Sequence, residues 1–125
     1  MWKDVAWISL GAALGANLRY AVGRLALRHL SASVPWGTLI VNVTGSLVIG
    51  FFLAWITERV LADAHWRLLV AVGFCGAYTT YSSYAFETAG MIGQGHYGLA
   101  AANFVGNNLL CLAAVVAGAA LARAI

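Results

Sequence analysis

The chain carries a run of consecutive hydroxyl side chains inside a stretch that is otherwise apolar enough to cross a membrane. Residues 73–84 read GFCGAYTTYSSY. Hydrocarbon solvates neither hydroxyl groups nor bare carbonyls, so these groups must face protein, water or an ion. The chemistry that they offer is hydrogen bonding by neutral donors and acceptors.

Two further apolar stretches carry polar side chains at helical spacing. Each set has three residues, four apart, and the two sets are Thr38, Asn42 and Ser46, and Asn103, Asn107 and Cys111. On a helix this spacing places each set on one face, as a polar ladder. The two ladders either bond to each other between helices or line a polar path, and the nearby hydroxyl run favours the path.

The signs of the charged residues favour an anion over a cation. Neutral donors replace part of the water shell of a small anion without holding it too tightly. Arg19 is the one deep cation of the predicted spans and Glu87 the one acid, whereas carriers of protons or cations typically set acids along their route. Arg19 either faces the path or extends toward the first loop beside Arg24.

Tyr81 and Tyr84 follow the hydroxyl run and share a helix face. The edge of an aromatic ring is positive, so an edge-on pair can stabilise an anion. Ordinary aromatic packing is the more common use of such a pair, and only the polar neighbourhood favours the first interpretation.

Four apolar stretches must position these residues. The 125 residues are 62% apolar and 9% charged, and a soluble domain would carry far more charge. About 20 apolar residues cross the hydrocarbon core, and such stretches lie near residues 5–27, 37–57, 68–92 and 98–121. We therefore predict one all-α membrane domain of four transmembrane helices, whose first span is retained and not removed as a signal peptide.

The third span is predicted to break near its middle. Gly73 and Gly76 loosen the helix, and Thr79 and Thr80 are β-branched hydroxyl residues that favour other backbone geometry. The break would lie between Gly76 and Thr79 and would free carbonyls that need a cation or a neighbouring helix as partner. A kink filled by side-chain hydroxyls is the alternative.

The distribution of basic residues permits both orientations in the membrane. On four spans, one side holds Lys3, Arg59, Arg67 and Arg123, and the other holds Arg24 and Arg28. This is a weak bias for a single topology. An antiparallel homodimer would close such an assembly, and a parallel dimer or a subunit of a larger complex is the alternative.

Glycines are expected to give the helices smooth faces for close contact. They are Gly11, Gly15, Gly45, Gly50, Gly73, Gly76, Gly106 and Gly118.

In four ordered motifs the chain resembles the Fluc/CrcB family of fluoride channels over nearly its whole length. Three motifs are GAALGANLRY at residues 11–20, GTLIVNVTGS at residues 37–46 and GFCGAYTTYSSY at residues 73–84. The fourth is the weaker ladder of Asn103, Asn107 and Cys111. Four motifs in this order are specific, although each alone would be weak.

The resemblance implies a dual-topology antiparallel homodimer with two fluoride pores and a structural sodium ion at its centre. Asn42 would coordinate fluoride, and backbone carbonyls of Gly76 and Thr79 would hold the sodium ion. The full expected fluoride path comprises Thr38, Asn42, Tyr81, Ser82, Ser83, Tyr84, Asn103, Asn107 and Cys111. The expected location is the cell (inner) membrane, with several passes, and the expected role is fluoride resistance.

The chain departs from the family pattern at two places. Tyr81 and Tyr84 stand where the family typically has phenylalanines whose ring edges line the pore, so each phenol adds a donor that could bind fluoride, narrow the pore, or bond to Asn42 or a serine. The fourth-span ladder has asparagines and Cys111 where relatives commonly have hydroxyl residues. These departures bear on the rate and selectivity of conduction.

Other functions fit the residues less well. A small dual-topology, proton-coupled multidrug or cation antiporter would depend on an acid in the first helix, where this chain has none deeper than Asp4. A non-transporting subunit would have no use for the ladders. The three histidines share no metal-ligand spacing, and we expect no enzyme. The net charge of +3 is spread over both sides, which argues against nucleic acid as a partner.

The expected role of Arg19 gives a first prediction. If Arg19 raises the anion concentration at a vestibule, Arg19→Gln should lower fluoride conductance several-fold at low ionic strength, and added salt should shrink the difference by screening. The measurement is fluoride conductance at two ionic strengths, and an unchanged current at low ionic strength would count against this role.

Overall fold

The computed structural model describes residues 1–58 and 64–125, which form helices joined by short links. Helix α1 spans Trp2–His29 and α2 spans Trp36–Glu58. Helix α3 covers residues 64–78 as the turn Ala64–Trp66, the π-helical stretch Arg67–Cys75 and the turn Gly76–Tyr78. Helix α4 spans Tyr81–Gly93 and α5 spans Tyr97–Ala124. The prediction of an all-α chain is confirmed, with α3 and α4 forming the two halves of the third segment.

Arg59, which entered the comparison of basic residues, lies outside the described residues.

Within residues 1–58 and 64–125, two helices are long and apolar enough to cross a membrane, Trp36–Thr57 and Tyr97–Ala124. In their most apolar windows only 28% and 17% of the residues are buried within the chain. Large side chains elsewhere also point outward, since Phe86 is 81% exposed and Leu14 59%. An apolar surface of this extent needs lipid or another protein to cover it.

The interior is thin and built from small side chains. Val41 and Cys75 are the largest fully buried side chains among the described residues. Helix α1 packs along α3, and α2 packs along α5. These pairs approach closely enough that backbone meets backbone.

The approach of α1 to α3 occurs at the π-helical stretch. A Cβ on Gly11 would overlap the Leu69 carbonyl and lie 2.8 Å from Phe74 N. Leu69 and Phe74 are five residues apart, which is the spacing of a π-helical hydrogen bond. The absence of a side chain at Gly11 therefore lets α1 lie directly on the π-helical backbone.

The prediction of close glycine contacts holds at most of the named positions and is wrong at two. A Cβ at Gly106 would meet no atom within 4 Å, and at Gly76 the nearest atom is Ala71 O, 3.9 Å away in the same helix. Among the described residues, no neighbouring helix comes within 4 Å of a Cβ at either position.

The third segment is broken at Thr79 and Thr80, whose backbones are extended. The predicted break is confirmed, but it starts at Thr79 and not at Gly76, which is still helical. The Thr79 hydroxyl donates to Cys75 O at 2.8 Å, and Thr80 Oγ1 accepts a hydrogen bond from Ser83 N at 3.2 Å. The first threonine thus ends α3 and the second caps the start of α4.

A glycine turn brings α5 back beside α4. His96 N donates to Met91 O at 2.8 Å and Gly95 N to Ile92 O at 3.0 Å, the pattern of a Schellman motif. Gly95 has φ of 77°, a conformation in which other residues are strained. The sharp reversal places the start of α5 next to the end of α4.

Candidate functional site

Asn42 of α2 binds the backbone of the break from both sides. Its Oδ1 accepts a hydrogen bond from Thr80 N at 2.7 Å, and its Nδ2 donates to Thr80 O at 3.1 Å. Because Thr80 N can only donate, the orientation of the Asn42 amide is fixed. Both residues are buried, so Asn42 supplies partners that water cannot supply at this depth.

The two ladders meet at Asn42. Its Nδ2 also donates to Asn107 Oδ1 of α5 at 3.0 Å, and Asn107 Nδ2 donates to Asn103 Oδ1 at 2.9 Å. Asn103 Nδ2 in turn donates to Thr88 Oγ1 at 2.9 Å, and Thr88 Oγ1 donates to Tyr84 O at 2.7 Å. The asparagines therefore bond between helices, and Asn42 and Asn107 also line a cavity.

The break changes the partners of two backbone carbonyls. In an unbroken helix Thr80 N would donate to Gly76 O, and Ser83 N to Thr79 O. Here Thr80 N donates to Asn42 Oδ1 and Ser83 N to Thr80 Oγ1. Gly76 O and Thr79 O thus lose these helical donors, and they belong to the two residues that the sequence singled out for a cation.

Thr38, the first member of the α2 ladder, contacts an acid. Its Oγ1 donates to Glu87 Oε1 of α4 at 2.6 Å. Glu87 Oε2 is buried and makes no hydrogen bond with the described residues. The deep acid therefore faces α2.

Three cavities follow one another along the polar residues. The central cavity, about 330 Å³, is lined by Asn42, Thr80, Tyr84, Asn107 and Cys111 among others. The side cavity, about 360 Å³, shares Thr80 with it and adds Arg19, Thr38, Ser82 and Ser83. The mouth cavity, about 520 Å³, shares Thr38 with the side cavity and adds Glu87 and His96. Arg19 thus lies among the hydroxyl groups.

The tyrosines differ in their surroundings. Tyr84 is 4% exposed and Tyr81 76%. Their rings meet edge to face, with centroids 5.2 Å apart and planes at 64°. Tyr84 OH accepts a hydrogen bond from Asn108 Nδ2 at 3.1 Å, so the expected partners of this phenol, Asn42 and a serine, are replaced by Asn108.

The structure brings the predicted path residues into this series of cavities, with one qualification. Thr38, Asn42, Tyr81, Ser82, Ser83, Tyr84, Asn107 and Cys111 line them. Asn103 lines an apolar groove that shares Trp36 and Leu99 with the mouth cavity, and it is hydrogen-bonded to Asn107. Gly76 and Thr79 line the central cavity.

Sequence reasoning missed two polar residues of the site. Thr88 joins the ladder through Asn103, and Asn108 bonds to Tyr84. Thr88 lies four residues after Tyr84, which is the one sequence signal that could have indicated it. Asn108 lies next to Asn107 on an exposed face, and only the fold brings it to the phenol.

Comparison with known proteins adds a family and several relatives. The family model described as "CrcB-like protein, Camphor Resistance (CrcB)" matches residues 6–119. A protein of Koribacter versatilis named "Fluoride-specific ion channel FluC" is 52% identical over 98% of both chains. A protein of the same name from Sulfurihydrogenibium sp. is 43% identical over 93% of this chain and 94% of its own length. Another from Nitrosococcus oceani is 38% identical over 100% of both chains.

Removal of the Asn42 side chain should destabilise the fold. Asn42→Ala leaves Thr80 N, Thr80 O and Asn107 Oδ1 without their present partner, at about 1–3 kcal/mol for each group that stays unsatisfied. We expect a loss of about 2–4 kcal/mol in the free energy of unfolding, measured by denaturation in detergent. The matched control is Asn17→Ala, because Asn17 is exposed and donates only to Ala13 O of its own helix. Equal losses in both variants would contradict the role of Asn42.

Proposed function

The chain belongs to the family of CrcB-like proteins, and from this membership we propose that it is a fluoride channel that lets fluoride leave the cell passively. Relatives up to 52% identical over 98% of this chain are named fluoride-specific ion channels. It is accordingly a membrane transport protein and not an enzyme. The proposed location is the inner membrane, crossed several times, and the proposed role is resistance to fluoride.

The observation that carries the proposal is the series of three cavities that adjoin at Thr80 and Thr38 and whose polar lining consists mostly of neutral hydroxyl and amide groups. The antiporter alternative lacks support, because the acid of α1, Asp4, lies at the exposed end of the helix, 3.2 Å from the terminal ammonium group. Hydroxyl and amide groups stabilise an anion without the strong binding that a fixed positive charge would give.

Fluoride binding at Asn42 requires an exchange of hydrogen bonds. Both protons of the Asn42 amide are already used, one on Thr80 O and one on Asn107 Oδ1. A bond to an anion is roughly twice as strong as a bond to a neutral acceptor. Fluoride can therefore replace one of these neutral acceptors and accept a hydrogen bond from the Asn42 amide. This bond compensates for part of the lost hydration of the anion and is still weak enough for the anion to move on.

The remaining residues guide the anion to this point and away from it. Arg19 attracts anions into the side cavity, where Thr38, Ser82 and Ser83 offer hydroxyl groups. Tyr81 and Tyr84 present ring edges at the central cavity, and Asn103, Asn107 and Cys111 continue the donors along α5. Chloride is larger and fits a narrow path of this kind poorly.

A second copy of the chain would complete the central cavity. Tyr81 is 76% exposed, and Asn108 and Gly76 are also exposed although they line this cavity. Polar groups at this depth cannot face lipid, so another copy in the opposite orientation would cover them. The proposed assembly is an antiparallel homodimer with two pores.

A sodium ion fits the carbonyls that the break has released. Gly76 O and Thr79 O have lost the helical donors Thr80 N and Ser83 N, and carbonyl oxygens are hard ligands that suit a small cation. Two such carbonyls from each copy would hold the ion at the dimer centre. The ion would stabilise the assembly and take no part in fluoride transfer.

The function is tested by fluoride efflux from liposomes that contain the purified protein. A fluoride electrode follows the release, a potassium ionophore sets the voltage, and chloride is the control anion. We expect fluoride loss that follows voltage without a proton gradient, with chloride retained. Loss no faster than from empty liposomes would refute conduction, and efflux that requires a proton gradient would favour the antiporter.

The dimer and its ion are tested together. The protein in detergent should have twice the mass of one chain by light scattering, and exchange of sodium for N-methylglucamine should slow fluoride efflux at least several-fold, reversibly. A monomeric mass would refute the dimer. Efflux that is insensitive to thorough removal of sodium would refute the ion site while leaving conduction intact.

A further inference from the structure

The phenol of Tyr84 and the amide of Asn108 form a hydrogen-bonded pair that the ladders do not explain. Asn108 Nδ2 lies 3.1 Å from Tyr84 OH and 2.8 Å from Phe104 O. Both side chains line the central cavity. Tyr84 is 4% exposed, so its hydroxyl group cannot rely on bulk water for partners.

The direction of this hydrogen bond follows from the Phe104 carbonyl. A carbonyl only accepts, so the atom of Asn108 that faces it at 2.8 Å must be the amide nitrogen and not Oδ1. The same nitrogen then donates its second hydrogen bond to Tyr84 OH. The phenol oxygen is therefore the acceptor.

An acceptor phenol keeps its own proton for another partner. The described contacts of Tyr84 OH comprise the bond from Asn108 and no acceptor for its proton. Tyr84 lines a cavity of about 330 Å³ that Asn42 and Thr80 also line. Its O–H group is thus an unused hydrogen-bond donor of a residue that lines this cavity.

We infer that Asn108 orients the Tyr84 phenol so that its O–H group donates a hydrogen bond to fluoride in the central cavity. The inference rests on the proposed fluoride conduction and adds a binding group to it. Tyr84 contacts the anion through the phenol oxygen as well as through the ring edge, and Asn108 acts through Tyr84 as a positioning residue. The phenol adds one charge-assisted hydrogen bond to the anion site.

A double-mutant cycle on fluoride efflux tests this pair. Initial efflux rates over a range of fluoride concentrations give the half-saturating concentration for wild type, Tyr84→Phe, Asn108→Ala and the double variant. We expect each single change to raise this concentration about tenfold, the loss of one charge-assisted bond. The double variant should equal Tyr84→Phe, because Asn108 has no effect without the phenol.

Two matched controls test whether the loss of any tyrosine hydroxyl group or any asparagine amide has the same effect. Tyr97→Phe changes a tyrosine that is 68% exposed at the start of α5, and Asn17→Ala removes an amide that bonds only within α1. Both should keep the wild-type half-saturating concentration. Asn108→Asp gives a second way to break the arrangement, because a carboxylate would accept the phenol proton and raise the half-saturating concentration at least as much as Asn108→Ala.

The outcomes separate this inference from the proposed function. No efflux in wild type refutes the function itself. A conducting wild type with an unchanged half-saturating concentration in Tyr84→Phe overturns the inference alone. Additive effects of Tyr84→Phe and Asn108→Ala, or an unchanged Asn108→Asp, overturn the positioning role of Asn108.

Discussion

The hydrogen bonds between Asn42 and the backbone of Thr80 are the constraint on which the site depends. A chain that leaves the helical conformation at membrane depth exposes amide and carbonyl groups, each of which costs free energy unless it finds a partner. One carboxamide satisfies both groups of Thr80. The break in the third segment therefore depends on an asparagine at position 42.

The same bonds connect the site to the fold. Asn42 and Asn107 join α2 to α5, the helices that are long and apolar enough to cross a membrane. Hydrogen bonds between such helices contribute to their association where no hydrophobic effect does. The amide groups that join the two helices also line the central cavity. Each N–H group that bonds between the helices is therefore not available to the anion at the same time.

Sequence alone predicted the parts that depend on local spacing. The four-residue intervals correctly placed Asn42 in a ladder on one face of α2 and Asn107 in a ladder on one face of α5, and the β-branched pair at Thr79 and Thr80 correctly predicted the break. The π-helical stretch Arg67–Cys75 was not predicted, because no local spacing indicates it and its contact with Gly11 of α1 exists only in the fold. Asn108 was missed for the same kind of reason, since its partner lies 24 positions away in sequence and meets it only in the fold.

The donor–acceptor order along the ladders has a consequence for protons. In this series of hydrogen bonds each group donates to the next one. The successive groups are Thr80 N, Asn42, Asn107, Asn103, Thr88 and Tyr84 O. A proton wire needs groups that release one proton while they accept another, as water and hydroxyl groups do, and a carboxamide keeps its N–H protons. Three carboxamides in series interrupt such a wire. Insulation against proton leak would let the membrane keep its pH gradient while another ion crosses.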